Sequence, residues 1–159
     1  MTMPDIRALV PHSGAMLLLD RVLSADEDNL CAEVRIRADS VFCDGDAVGA
    51  WVGVEYMAQA IAAHAGWLAL RRDEPVKIGF LLGARKYEAR RPHFSIGSVL
   101  HVHAHRVLQG DNGLGAFECR IDDGELVNNG GTPVTLATAT VTVFQPDNVN
   151  QFLKDGSVV

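Results

Sequence analysis

Residues 49–72 read Gly-Ala-Trp-Val-Gly-Val-Glu-Tyr-Met-Ala-Gln-Ala-Ile-Ala-Ala-His-Ala-Gly-Trp-Leu-Ala-Leu-Arg-Arg, and Glu55 is the one carboxylate among them. The stretch predicts a helix from about Ala50 to Arg72. Two arginines suit its last turn, and Asp73-Glu74-Pro75 stops it. Val54, Met57, Ala58, Ile61, Ala62 and Ala65 leave it without a clean polar face, so the chain must cover the helix on nearly all sides. Glu55 and Gln59 lie one turn apart and share a face. Burying a carboxylate favours its neutral form, which suits a proton donor. A first-turn acid is equally at home there for the helix dipole alone, and both readings stand at this point.

The rest of the composition narrows the setting. A length of 159 residues suits one domain with a full core. No apolar run reaches the roughly 18 residues needed to span a bilayer, and Met1-Thr2-Met3-Pro4-Asp5 lacks a basic, apolar leader. Cys31, Cys43 and Cys119 are odd in number and unpaired in spacing, which fits reduced thiols in a cytoplasmic protein. A net charge of −6 argues against a nucleic-acid partner. Seven of the 14 basic residues nevertheless fall between Arg71 and Arg91: Arg71, Arg72, Lys77, Arg85, Lys86, Arg90 and Arg91. That patch can steer an acidic macromolecule, or be a solvated helix end and strand face. With no glycine-rich phosphate loop and no metal-type cysteine or histidine spacing, no nucleotide cofactor and no metal are expected.

Outside the helix the pattern is extended. Met16–Val22 and Leu30–Arg37 read as strands around a polar turn, and Asp39–Gly49 reads as loop. After the helix, Lys77–Glu88, Val99–Leu108, Gly115–Asp122 and Thr135–Phe144 read as strands. Gly110-Asp111-Asn112-Gly113 and Asp122-Asp123-Gly124 serve as turns. Residues 1–146 then form one domain, with 147–159 a polar tail. One apolar helix among antiparallel strands points to an α+β fold in which a curved sheet wraps a long central helix, the hotdog arrangement. Its free sheet edges predict at least a dimer.

Three segments carry a family resemblance. Val10-Pro11-His12-Ser13-Gly14-Ala15-Met16-Leu17-Leu18-Leu19-Asp20-Arg21-Val22 is similar to the opening Leu-Pro-His-x-x-x-Phe-Leu-Leu-Val-Asp-Arg-Val of the FabA/FabZ type of 3-hydroxyacyl-acyl-carrier-protein dehydratases. Gly49–Gln59 is similar to their helix start Pro-Gly-x-x-x-x-Glu-Ala-x-Ala-Gln, and Tyr87–Gly97 to their Phe-Arg-Arg-Pro-x-x-x-Gly. The chain resembles most the divergent ApeP-like hotdog subunits of aryl-polyene clusters.

The resemblance implies fatty-acid or polyene-type chain synthesis. The substrate would be a 3-hydroxyacyl thioester carried on the phosphopantetheine of an acyl carrier protein or of CoA. It places the catalytic carboxylate at Glu55, supported by Gln59. The general-base histidine, fourteen residues earlier, falls at Val41, and valine accepts no proton. It also implies substrate contacts at Gly49, Ala50, Trp51, Phe80 and Gly83, and carrier-protein docking at Arg85, Lys86, Arg90 and Arg91. Gly49 replaces the family's proline.

Other histidines are candidates for the missing base. His12 belongs to the opening motif and is read chiefly as structural. His64 lies about half a turn round the helix from Glu55 and reads as a core or interface residue. His101, His103 and His105 alternate on one strand face and read as a solvent-facing stripe, while Asp44 and Asp46 read as turn or capping residues. Three functions therefore remain open. They are a dehydratase whose base comes from elsewhere, such as another subunit; a catalytically incomplete partner of a paralogous dehydratase in a hetero-oligomer; and an acyl thioesterase that uses one carboxylate to activate water.

Overall fold

A helix with apolar residues on most sides is stable only where other elements take it out of water. In the computed structural model, which describes residues 3–10, 14–75 and 79–146, a six-stranded sheet does this. In chain order the elements are β1 (Arg21–Ala25), β2 (Asn29–Arg35), β3 (Cys43–Asp44), β4 (Ala47–Gly49), α1 (Gly53–Arg71), β5 (Phe80–Ala89), β6 (His93–Ser95), β7 (Val99–Gln109), β8 (Leu114–Asp123), α2 (Gly124–Asn128) and β9 (Thr135–Phe144). The main sheet is antiparallel in the order β1-β2-β7-β8-β9-β5, and α1 touches all six strands. A second sheet, β3-β4-β6, sits at the start of α1. This is the α+β hotdog arrangement. No helix among the described residues is long and apolar enough to cross a membrane.

The core lies between α1 and the inward rows of the sheet. Leu30, Ala32 and Val34 of β2, Leu100, Val102 and Ala104 of β7, Phe117 and Ile121 of β8, and Ala137 and Val141 of β9 close on Met57, Ala60, Ile61, Ala63 and Trp67. Enclosure is nearly complete, as expected, and leaves one side less covered. Glu55, Ala58, Ala62 and Ala65 are half-buried and follow one another at helical spacing as an open stripe along α1.

The segment before β1 covers another side of the helix and departs from the expected strand at 16–22. Residues 14–16 form a 3-10 turn, and the strand begins only at Arg21. Wholly buried Gln59 is the reason: its Nε2 donates to Met16 O at 2.7 Å, and Leu18 N donates to its Oε1 at 2.8 Å. A helix side chain thus satisfies backbone groups that a strand would have paired with a neighbour. Further along, Gly66 lets the Leu9 backbone lie directly against α1.

Two smaller departures concern local chemistry. The 39–49 loop contains the β3–β4 hairpin, which turns at Gly45 (φ 70°) between exposed Asp44 and Asp46 and pairs with β6. Neither aspartate caps the helix, because the turn leading into α1 is preceded by Gly49 and has no side-chain cap. Asp123 does cap a helix: it accepts from Glu125 N and Leu126 N and starts α2 where a turn was expected. Arg71 stacks over Trp67, 4.8 Å from the ring centroid, and Arg72 pairs with Glu27 at 2.8 Å, so this part of the basic cluster holds the helix end.

His64 is buried, with Nε2 3.0 Å from Asp26 O and its ring edge-on to Phe117. Burial pushes its pKa below the ordinary 6.5, and His103 is lowered for the same first reason.

Two outcomes follow from this packing. Gly66→Ala would gain about 1 kcal/mol of helix propensity, but overpacking against a rigid backbone costs about 1–3 kcal/mol. A net loss of stability is therefore expected in urea denaturation, and a gain would mean that Leu9 does not sit there. Burial lowers the pKa of His64 and His103 in the folded state, so below about pH 6.5 the unfolded chain binds more protons than the folded one. Stability is thus retained above 6.5 and falls as the pH drops below it. Urea midpoints at pH 7.5 and 5.5 should show that loss, and His64→Gln should reduce it.

Candidate active site

Glu55 lies in the first turn of α1, half-buried, at the head of the open stripe. Gln59 Nε2 is 3.4 Å from its Oε1, a long contact, since the same amide already donates to Met16 O. Gln59 thus orients the N-terminal segment first and the carboxylate second.

The turn before Glu55 is built by glycine. Gly49, extended at φ −60°, ψ 138°, leads into a 3-10 turn over Ala50–Val52. Any side chain at 49 would collide with the Trp51 indole, which lies over that glycine. Trp51 is 67% exposed, and Phe42 meets it edge-on with centroids 5.5 Å apart. Ala50 N donates to Pro92 O, and the Tyr87 hydroxyl donates to Ala50 O. Gly53 is what admits that hydroxyl, since a methyl there would strike the phenol and Ile121. Tyr87 belongs to β5, whose other edge has no strand beside it among the described residues. The start of α1 is therefore tied directly to a free sheet edge. Sequence reasoning missed Tyr87; the signal was Gly53, a residue poorly suited to a helix start unless something approaches closely.

Val41, at the position of the implied base, is 45% exposed. It borders a cleft of about 340 Å³ with Phe42, Leu18, Val48 and Tyr56, rimmed by the Arg37–Asp20 pair (2.6 Å). Glu55 is not in the wall of that cleft. Tyr56 is buried against Phe94, and burial raises the pKa of its phenol, which keeps it neutral.

The remaining candidates are scattered. His12 lies outside the described residues, as do Lys77 and the 147–159 tail. Phe80 opens β5 opposite Phe144. Gly83 sits at a bulge and pairs with Thr142, on the face away from α1, where a Cβ would meet open space. Arg85, Lys86, Arg90 and Arg91 are all exposed along the end of β5 and beyond it, and Lys86 adopts φ 54° where the β5–β9 register shifts.

The three alternating histidines lie on the sheet's outward face, as the alternation predicts, but they are not a uniformly solvent-facing stripe. His105 is exposed and His103 half-buried, whereas His101 is buried with Glu33 and Asp122 on either side of it in register. Arg21 and Arg35 close over Glu33, Arg120 and Thr135 hold Asp122, and Gly124 of α2 packs against the His101 ring. His103 Nε2 lies 3.4 Å from Asp122 Oδ2 and 3.7 Å from Cys31 Sγ. One nitrogen thus faces both groups and cannot relay a proton between them. Burial pushes the Cys31 thiol up to about 11, so it is no nucleophile.

The fold agrees with what this chain is similar to. Residues 4–154 match the ApeP-like family, described as ApeP dehydratase. The 3-hydroxyacyl-[acyl-carrier-protein] dehydratase FabZ of Chlamydia trachomatis is 33% identical over 120 residues, covering 71% of this chain and 77% of that protein. A chain in the dehydratase heterocomplex ApeI:P from Xenorhabdus doucetiae superposes with a TM-score of 0.84 at 28% identity, over 96% of this chain and 97% of that one. A hypothetical thioesterase with coenzyme A from Streptococcus pneumoniae TIGR4 shares the fold, with a TM-score of 0.58 at 14% identity over 79% and 84% of the two chains. This chain belongs to the ApeP-like dehydratase family and is a dehydratase-like hotdog protein.

Proposed function

We propose that the chain is the carboxylate-bearing subunit of a two-subunit dehydratase acting on 3-hydroxyacyl thioesters held on phosphopantetheine. Glu55 is the general acid. The general base is a histidine of a paralogous subunit that pairs with this one. The histidine removes the α-proton, the thioester carbonyl takes up charge near the N–H groups at the start of α1, and the C3–O bond breaks. Glu55 delivers its proton to the departing hydroxyl, leaving a trans-2-enoyl thioester and water.

The observation that carries this reading is a split of functions in one chain. A carboxylate stands at the head of an open apolar stripe, while the implied base position holds Val41, in the wall of a cleft that Glu55 does not share. Tyr87 ties the same helix start to a sheet edge that another strand can extend. The stripe Ala58–Ala62–Ala65 gives an acyl chain a small-residue bed once a partner covers it. The likeness to a chain of the ApeI:P heterocomplex supports a paralogous partner, and the likeness to FabZ supports a carrier-protein substrate. Exposed Arg85, Lys86, Arg90 and Arg91 suit docking of an acidic carrier.

Val41 also favours a second reading, in which the chain completes the assembly without taking part in the chemistry. The two separate in one assay of 3-hydroxyacyl and enoyl carrier-protein thioesters, using this chain alone and mixed with a histidine-bearing paralogue from the same genome. The proposal expects activity in the mixture, reduced by about 100-fold or more when Glu55→Gln replaces the wild type. Undiminished activity with Glu55→Gln assigns the chain the non-catalytic role. Release of free thiol from acyl-CoA by the chain alone would contradict both.

A further inference from the structure

Trp51 is the most exposed large apolar side chain among the described residues, yet it is held in place. Gly49 clears the space its indole occupies, and Phe42 braces it edge-on. A tryptophan fixed in one position and left in water has already lost its rotamer freedom, which is how interface anchors lower the cost of association. Other exposed apolar residues lie on the neighbouring elements. Val41 is exposed beside Phe42, and the next residue back, Ala50, accepts the Tyr87 hydrogen bond from the free-edge strand β5. Leu81 and Leu82, also exposed, lie further along the same strand. Trp51 heads the helix face that continues through Glu55, Ala58, Ala62 and Ala65.

We infer that Trp51, braced by Phe42 over Gly49, is the anchor through which this chain selects its partner: a histidine-bearing hotdog subunit that extends the sheet along β5. This rests on the composite dehydratase proposed above. The unpaired backbone of an edge strand is recognised by another edge strand, whatever its sequence, so β5 alone does not choose between partners. A rigid indole that follows Ala50, the residue bound by Tyr87 of that strand, does choose, because the partner must offer an apolar recess at one position. A second copy of this chain would present its own Trp51 and Val41 and would bring no histidine at position 41. A paralogue with a recess and a histidine satisfies both the anchor and the chemistry.

The test uses the full chain labelled with 5-fluorotryptophan. Its two tryptophans give two fluorine signals, and Trp67 is buried beneath Arg71. Adding the unlabelled histidine-bearing paralogue should shift the Trp51 signal and leave the Trp67 signal in place. Trp51→Ala should raise the dissociation constant by about 30-fold or more without changing the circular dichroism spectrum. Gly49→Ala, which displaces the indole while keeping it, should weaken binding in the same direction. If the wild type pairs with the paralogue but Trp51→Ala binds equally well and the signal stays put, the anchor role falls and the composite dehydratase stands. If the wild type does not pair at all, both fall. A shift produced by concentrating the labelled chain alone would assign Trp51 to self-association and overturn the inference.

Discussion

The covering of α1 governs the rest of this structure. A helix of alanine, methionine, isoleucine and tryptophan cannot stand in water, and three elements bring it under cover: the main sheet, the small β3-β4-β6 sheet at its start, and the segment fastened by Gln59 and Gly66. What they leave open is a narrow stripe headed by Trp51 and Glu55. Incomplete enclosure leaves a carboxylate beside an apolar track, next to a sheet edge that is itself unfinished.

On the proposed function, that arrangement lets the chain carry one half of an acid–base pair. The carboxylate is fixed by the helix, and the helix is fixed by the core. Phe42 packs edge-on against Trp51, and Val41 borders the cleft beside Tyr56 together with Asp20, Arg35, Arg37 and Asp39.

Much of this was legible from residue pattern. β9 begins and ends where the threonine–valine alternation does, and α1 lies within a residue or two of its predicted span once the 3-10 turn at 50–52 is included. The misses share a cause: a distant side chain or a short backbone device overrode the local pattern. Leu17–Leu18–Leu19 looks extended, but Gln59, 41 positions beyond Leu18, takes up its hydrogen-bonding groups. Asp123 reads as a turn former until its carboxylate is seen to cap α2. His101 reads as exposed because it follows the outward alternation, and only the packing of Gly124, Glu33 and Asp122 buries it. At the site, Glu55 and the absence of a histidine at 41 were visible in the sequence, whereas the Tyr87 link and the indole laid over Gly49 required knowing which residues meet in space.

The central claim is that the carboxylate of this chain serves a histidine belonging to another. Complementation tests it most directly: the wild-type chain is mixed with a paralogue whose own helix carboxylate has been changed to the amide, and turnover of a 3-hydroxyacyl carrier-protein thioester is followed. The account predicts that the crippled paralogue is inactive alone and regains dehydration in the mixture, because Glu55 supplies the missing acid. A mixture that assembles but stays inactive would contradict it.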